Sequence, residues 1–245
     1  MVKVSFLKKE EKLNKFLVEK IDASLLNVFR RISCYNIPIY AIEEIDFIEN
    51  DSVIVDEMLA NRIGLCPVYT PLDNTGKKVT FSLDKIGPGV IYSKDLISND
   101  SEIKMTCDSI PLTKLSDNQK LKFEAFAVLG KGSTHVKYSP AIVSYSQLVD
   151  FENLKGCDGC GICVNACPKN NIKLVANKPK IIDIYKCDAC RACVDSCPKT
   201  LLKLIYSDNY ILNVELIGQT TVKSLIKETK RYTKEYFMLL KKKFK

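Results

Sequence analysis

A chain of 245 residues, 46% hydrophobic and 27% charged, has the make-up of a globular protein long enough for two or three small cores, which excludes a wholly disordered or collagen-like chain. Its formal charge of +8, from 37 basic and 29 acidic residues, permits contact with nucleic acid or an acidic protein surface without demanding either. No apolar run approaches 18 residues, and Lys3, Lys8, Lys9 and Lys12 precede no apolar segment of signal-peptide type, so the expectation is a cytoplasmic protein with reduced thiols and no membrane segment.

Val2 to Leu7 and Leu13 to Glu19 alternate apolar and polar residues around the polar run Lys8 to Lys12, which predicts an antiparallel pair of strands. Asp22 is placed to cap a helix whose Leu25, Val28, Phe29 and Ile32 recur at helical spacing, with Arg30 and Arg31 at the edge of that face and Pro38 closing the segment. Ile39 to Ile48 reads as a strand and Val55 to Ile63 as a short helix broken by Gly64 and Pro67. A polar turn at Asp73 to Lys78 then leads into strands at Val79 to Leu83, Val90 to Tyr92 and Lys120 to Val128.

Gly130, Lys131, Gly132 and Ser133 superficially suggest a phosphate loop. Position 125 is Ala, however, and Lys131 is followed by Gly132, so the pattern fails. His135 is the only histidine, and without a second histidine or a carboxylate cluster in the sequence beside it a hydrogen-bonded structural role is expected.

From Gly156 to Pro198 the chain holds eight of its eleven cysteines in two copies of one pattern: Cys157, Cys160, Cys163, Cys167 then Pro168, and Cys187, Cys190, Cys193, Cys197 then Pro198. This is the spacing of bacterial-type ferredoxins, in which three closely spaced cysteines wrap one cluster and the fourth reaches the neighbouring one. Applied here, Cys157, Cys160, Cys163 and Cys197 hold one 4Fe-4S cluster, while Cys187, Cys190, Cys193 and Cys167 hold another, either of which could lose an iron to become 3Fe-4S. Gly156, Gly159 and Gly161 allow positive φ in the first loop; Asp188, Ala189, Arg191 and Ala192 make the second less permissive. Disulfides suit short secreted chains, and zinc would leave four cysteines and both Cys-Pro endings unexplained.

Tyr210 to Ile217 is expected to be a strand, and Thr220 or Thr221 caps a final helix. Along it Val222, Leu225, Ile226, Thr229, Tyr232, Tyr236, Leu239 and Leu240 repeat at three- and four-residue steps, a stripe too long for the short preceding helix to cover. A partner subunit is therefore expected against it. Lys241, Lys242, Lys243 and Lys245 crowd its end, where cations suit the helix dipole.

Several blocks together resemble one family. They are LLNVFRRISCYNIPIYAIEEIDFI from Leu25 to Ile48, NDSVIVDEMLANRIGLCP from Asn50 to Pro67, GPGVIYSKDL from Gly87, IPLTKL from Ile110 and GKGSTHVKYSP from Gly130. In this order they are similar to the D-type subunit of archaeal DNA-directed RNA polymerase, the counterpart of the third-largest eukaryotic polymerase II subunit and of the bacterial alpha subunit's N-terminal domain. The resemblance covers nearly the whole chain. Asn61, Cys66 and Tyr138 depart from common family residues, and none of the departures removes a cysteine ligand.

The resemblance implies an α+β fold: a discontinuous dimerisation domain of alpha-subunit type (1–38 with 208–245), an inserted mixed α/β domain (39–150) and a bacterial ferredoxin-like domain (151–207). It implies a heterodimer with the small subunit L that serves as platform for the large polymerase subunits, alongside other small subunits, with DNA met only through the assembled enzyme. Arg30 and Arg31 resemble paired arginines near the contact with the second-largest subunit. As part of a nucleotidyltransferase the chain is expected to bring no catalytic residue, since it lacks the D-x-D-x-D run that would hold two Mg2+ ions. The competing reading is an electron-transfer iron–sulfur subunit of an oxidoreductase, but no G-x-G-x-x-G follows a predicted strand. A direct DNA-binding scaffold would rest on charge alone.

Overall fold

The computed structural model describes residues 2–10, 13–71, 76–152 and 155–244. It resolves into two compact units, one formed by residues 1–26 with 144–213 and the other by 27–143 with 214–245. Strand and helix alternate irregularly through both, giving the α+β class expected from the sequence.

In the first unit, β1 (Lys3–Lys9) and β2 (Leu13–Glu19) pair antiparallel with Phe6 opposite Phe16. Residues 11 and 12, at the end of the expected polar run, lie outside the described residues. The sheet runs β1-β2-β12-β9, where β9 spans Ala141–Phe151 and β12 spans Leu204–Leu216. Phe16 and Val18 turn inward while Val4 and Phe6 stay exposed, so β1 is an edge strand with an uncovered apolar face. The cysteine module follows β9: α3 (Ile162–Asn165), a hairpin of β10 (Ile172–Val175) and β11 (Lys178–Ile181), then α4 (Ala192–Asp195).

The second unit is built on a sheet of order β3-β8-β4-β6, comprising Pro38–Asn50, Lys120–Lys131, Val79–Ile86 and Ile97–Ser98. Pro38 opens β3 rather than merely ending the helix before it, a position where its missing N–H is tolerated. A ribbon of β5 (Gly89–Tyr92) and β7 (Pro111–Leu115) and the helix α2 (Asp56–Gly64) cover the sheet. Inward-facing Tyr40, Phe81, Leu83, Leu121 and Phe123 meet Leu59 and Ile63 of α2 and Leu112 and Leu115 of β7 in one apolar core. The turn expected at Asp73 to Lys78 falls partly on residues 72–75, outside the described residues.

Helix α1 (Ala23–Tyr35) begins where expected: the Asp22 carboxylate accepts the Ser24 amide at 2.7 Å, and its carbonyl accepts the Leu26 amide. Its face is rotated from the sequence reading. Leu26, Ile32, Ser33 and Cys34 are buried, while Leu25 is 40% exposed and Val28 and Phe29 are half-buried. The last helix, α5 (Val222–Lys243), is capped by Thr221, whose hydroxyl accepts the Ser224 amide. Ser33 and Thr229 meet through their hydroxyls at 3.0 Å, one donating to the other, and the accepting hydroxyl is free to donate to the carbonyl four residues back on its own helix. This pairing closes the hydrogen-bonding needs of two polar side chains buried between α1 and α5.

A surface cluster pins the loop after β8 to β3. Lys137 and the Tyr138 hydroxyl both donate to Glu43, and Lys137 also reaches the Ile42 carbonyl at 2.9 Å. The Lys137 ammonium, followed by the Tyr138 hydroxyl, holds the Glu43 carboxyl below its usual range. A depressed folded-state pKa contributes stability above the unfolded carboxylate value and loses it as pH falls through the folded value. Glu43→Gln should therefore cost about 0.5–1 kcal/mol at pH 7, the group being half exposed, and nothing once acid has protonated Glu43 in the parent. Denaturant midpoints measured from pH 7 down to 3 should converge between the two proteins.

Candidate iron–sulfur site

The module is a repeat with an offset of thirty residues, which relates Cys157 to Cys187 and each later cysteine to its counterpart. The chain reverses so that the copies interleave. Cys157, Cys160, Cys163 and Cys197 line one concavity of about 440 Å³, together with Leu174, Pro179 and Leu202. Cys167, Cys187, Cys190 and Cys193 line a second of about 430 Å³, with Phe151, Ile172 and Ile181. The two sets are those the ferredoxin rule assigns, each fourth cysteine crossing to the other copy. Among the described residues no group of three or more His, Cys, Asp or Glu is arranged to grip a single metal ion. Four cysteines line each concavity beside apolar residues, and this all-thiol donor set in the ferredoxin spacing fits a 4Fe-4S group better than zinc.

Backbone geometry explains the loops. Gly159 and Gly161 take φ of 76° and 77°. At Gly159 a Cβ would also stand 2.9 Å from Asn177 Cβ and 3.0 Å from its carbonyl, so the hairpin turn excludes any side chain there; at Gly161 the nearest atom is 3.8 Å away. The second loop corrects the sequence reading. Ala189 and Arg191 adopt φ of 55° and 66°, the same left-handed turns without glycine. Such residues carry strain of about 1–2 kcal/mol each, and they tolerate it because the cysteine spacing overdetermines the path of the loop.

Burial raises the Cys163 thiol, and burial followed by the neighbouring Cys187 pushes the Cys193 thiol up to about 11. Bound iron would reverse that penalty, because a coordinating thiol is deprotonated outright. At Cys197 burial acts in the same sense but is outweighed by the amides of Leu201, Leu202, Lys199 and Thr200, which lower the thiol. The matching Cys167 sulfur accepts the Asn171 amide at 3.4 Å. The two crossing cysteines thus sit in turns that present N–H groups to sulfur.

The remaining cysteines, Cys34, Cys66 and Cys107, belong to the other unit, where burial pushes Cys66 up to about 11. Arg30 donates twice to Asn27 on its own helix, and Arg31 is exposed. His135 accepts the Lys137 amide through Nδ1, closing a short turn. What sequence reasoning missed is the β10–β11 hairpin, whose inward Leu174 and Pro179 wall one concavity and whose Ile172 and Ile181 wall the other. Its signal was the short alternation on either side of Asn177.

An α+β protein carrying a ferredoxin-type iron–sulfur module is the class that this fold and cysteine geometry define. Residues 41–150 match the family described as RNA polymerase Rpb3/RpoA insert domain, and residues 151–202 that described as 4Fe-4S dicluster domain. The chain is similar to the DNA-directed RNA polymerase subunit Rpo3 of Pyrococcus horikoshii, with 31% identity over 237 residues covering 93% of this chain and 92% of that protein. The corresponding protein of Archaeoglobus fulgidus is 32% identical over 243 residues, with 93% and 92% covered, and that of Halobacterium salinarum 40% over 147 residues, with 59% of each. The chain belongs to the Rpo3 family of archaeal DNA-directed RNA polymerase subunits, the D-type subunits that its sequence blocks resemble.

The loop geometry ranks substitutions. Gly159→Ala, with both a positive φ and a blocked Cβ, should impair reconstitution of the iron–sulfur absorbance more than Gly161→Ala, which has the positive φ but meets only an ordinary contact with Leu174. Arg191→Gly should raise the unfolding midpoint of the module, by the relief of about 1 kcal/mol. Thermal melts and the visible spectrum after reconstitution read both.

Proposed function

We propose that this chain is a non-catalytic assembly subunit of archaeal RNA polymerase, working in the cytoplasm, that pairs with the small subunit L to make the platform on which the large catalytic subunits and further small subunits gather. DNA is met only through that assembly. The supporting observation is α5. One face of its first half is buried, at Leu225, Glu228 and Thr229, whereas Tyr236, Phe237, Met238 and Leu239 are between 44% and 57% exposed. A helix of 22 residues is about 33 Å long, and its outer turns carry the apolar stripe beyond anything in their own unit that covers it. Among the described residues no helix is long and apolar enough to cross a membrane, so a lipid bilayer is not the occupant this helix suits.

On this reading residues 1–38 and 208–245 form the dimerisation domain, 39–150 the inserted domain and 151–207 the iron–sulfur domain. Arg30 and Arg31 are directed toward the second-largest subunit. Two 4Fe-4S clusters, one on Cys157, Cys160, Cys163 and Cys197 and one on Cys187, Cys190, Cys193 and Cys167, act chiefly as staples for a segment of some fifty residues, too small for a strong core. When bound, the clusters supply eight covalent tethers. The chain's own residues shape the two concavities and shield them with Ile172, Leu174, Ile181 and Leu202.

A pull-down from the native cell tests the class: large polymerase subunits and a small D-like partner should co-elute. Cys190→Ser with Cys193→Ser should unfold the module locally, seen as lost iron–sulfur absorbance, while association with L measured by size exclusion stays intact. Simultaneous loss of L binding would overturn the modular arrangement.

A further inference from the structure

We propose that two crossed ion pairs, Lys199 with Asp158 and Lys169 with Asp188, are latches that hold each donated fourth cysteine against the opposite cysteine loop. The proposal rests on the ligand assignment above and concerns positioning residues rather than ligands. Lys199 Nζ lies 2.7 Å from Asp158 Oδ2, and Lys169 Nζ lies 2.9 Å from Asp188 Oδ2. The same thirty-residue offset that relates the cysteines relates the two pairs, so the arrangement occurs twice. Each lysine stands two residues beyond a fourth cysteine, past its proline, and each aspartate directly follows the first cysteine of the other copy. Every pair therefore joins the segment that sends a ligand across to the loop that receives it. Among the described residues these are the only ion pairs within the module.

Further bonds anchor both latches. Asp158 Oδ1 accepts the Cys160 amide at 3.3 Å, tying that latch to the second cysteine of its loop. Lys169 also donates to the Lys186 carbonyl at 3.1 Å, so it grips the receiving loop on both sides of Cys187.

Both partners of each pair are about half exposed, so each latch is individually weak. Its leverage comes from position. A cluster begins to dissociate when one thiolate lets go, and a tether beside that ligand raises the effective concentration at which it returns. The lysine ammonium also offsets part of the negative charge of the thiolate set it faces.

The test uses the full chain reconstituted with iron and sulfide under anaerobic conditions, then challenged with a ferrous chelator. Iron–sulfur absorbance is followed while maleimide labelling and peptide mass spectrometry identify which cysteines become free. Lys199→Met should release one class of iron up to about fivefold faster than the parent, labelling Cys157, Cys160, Cys163 and Cys197 first. Lys169→Met should do the same for Cys187, Cys190, Cys193 and Cys167. Exchanging the charges, Lys199→Asp with Asp158→Lys, should restore the parental rate, and circular dichroism of each variant separates a folding failure from a lost latch. Rates equal to the parent, labelling without regard to set, or a swapped pair as labile as Lys199→Met would overturn the proposal. A parent chain that takes up no iron–sulfur chromophore would overturn the ligand assignment itself, and this is seen before any variant is compared.

Discussion

Helix α5 runs further than its own unit can bury it, and that mismatch constrains the rest. Its first three turns are anchored by Leu225 and by the hydroxyl pairing of Thr229 with Ser33, so the helix cannot slide or roll to hide its later residues. Four consecutive side chains from Tyr236 to Leu239 are left in solvent. They include a Tyr–Phe edge contact that presents a broad aromatic surface rather than isolated methyl groups. Removing them from water would gain roughly 25 cal/mol per Å² of apolar area, which on the proposed reading a partner subunit supplies.

The iron–sulfur module meets the opposite problem. It has few apolar residues to enclose, among them the buried Cys163, Ile172, Ile181 and Leu202. Its order comes from crossing: each copy of the motif is incomplete until the other supplies a cysteine, so neither half can form alone. That interdependence makes the module cooperative despite its size. It also explains the tolerated strain at Ala189 and Arg191, since a loop fixed at three cysteines and closed by a fourth from elsewhere has little freedom to relax.

Much of this was legible in the sequence because the signals were local and periodic. The cysteine spacing divides the eight residues into two sets of four, and in the structure each set lines one concavity. The β1–β2 pair, the cap at Asp22 and the stripe along α5 follow from alternation, side-chain chemistry and helical spacing. The misses have physical causes. Strand β9 was invisible because Ala141 to Phe151 mixes Ser144, Ser146 and Gln147 into its pattern, and its place beside β12 is a long-range pairing. On α1 both Leu25 and Leu26 are apolar, and spacing alone could not tell which faces inward; tertiary packing chose Leu26. In the second cysteine loop glycine preference misled, because covalent and steric closure outranks local propensity.

These two forms of incompleteness act at different ranges. Within the module the missing pieces lie thirty residues away and arrive by intramolecular crossing, at an effective concentration no separate chain could match. On the proposed reading the missing piece at α5 is a partner subunit, so completion would depend on the concentration of that partner. A protein built this way can hold its module folded while α5 awaits its complement. The exposed turns of α5 and the cysteine concavities share no residue, so on the proposed reading loss of iron would leave the partner-binding turns unaltered. Strands β9 and β12 flank the module in sequence and pair with each other in its sheet.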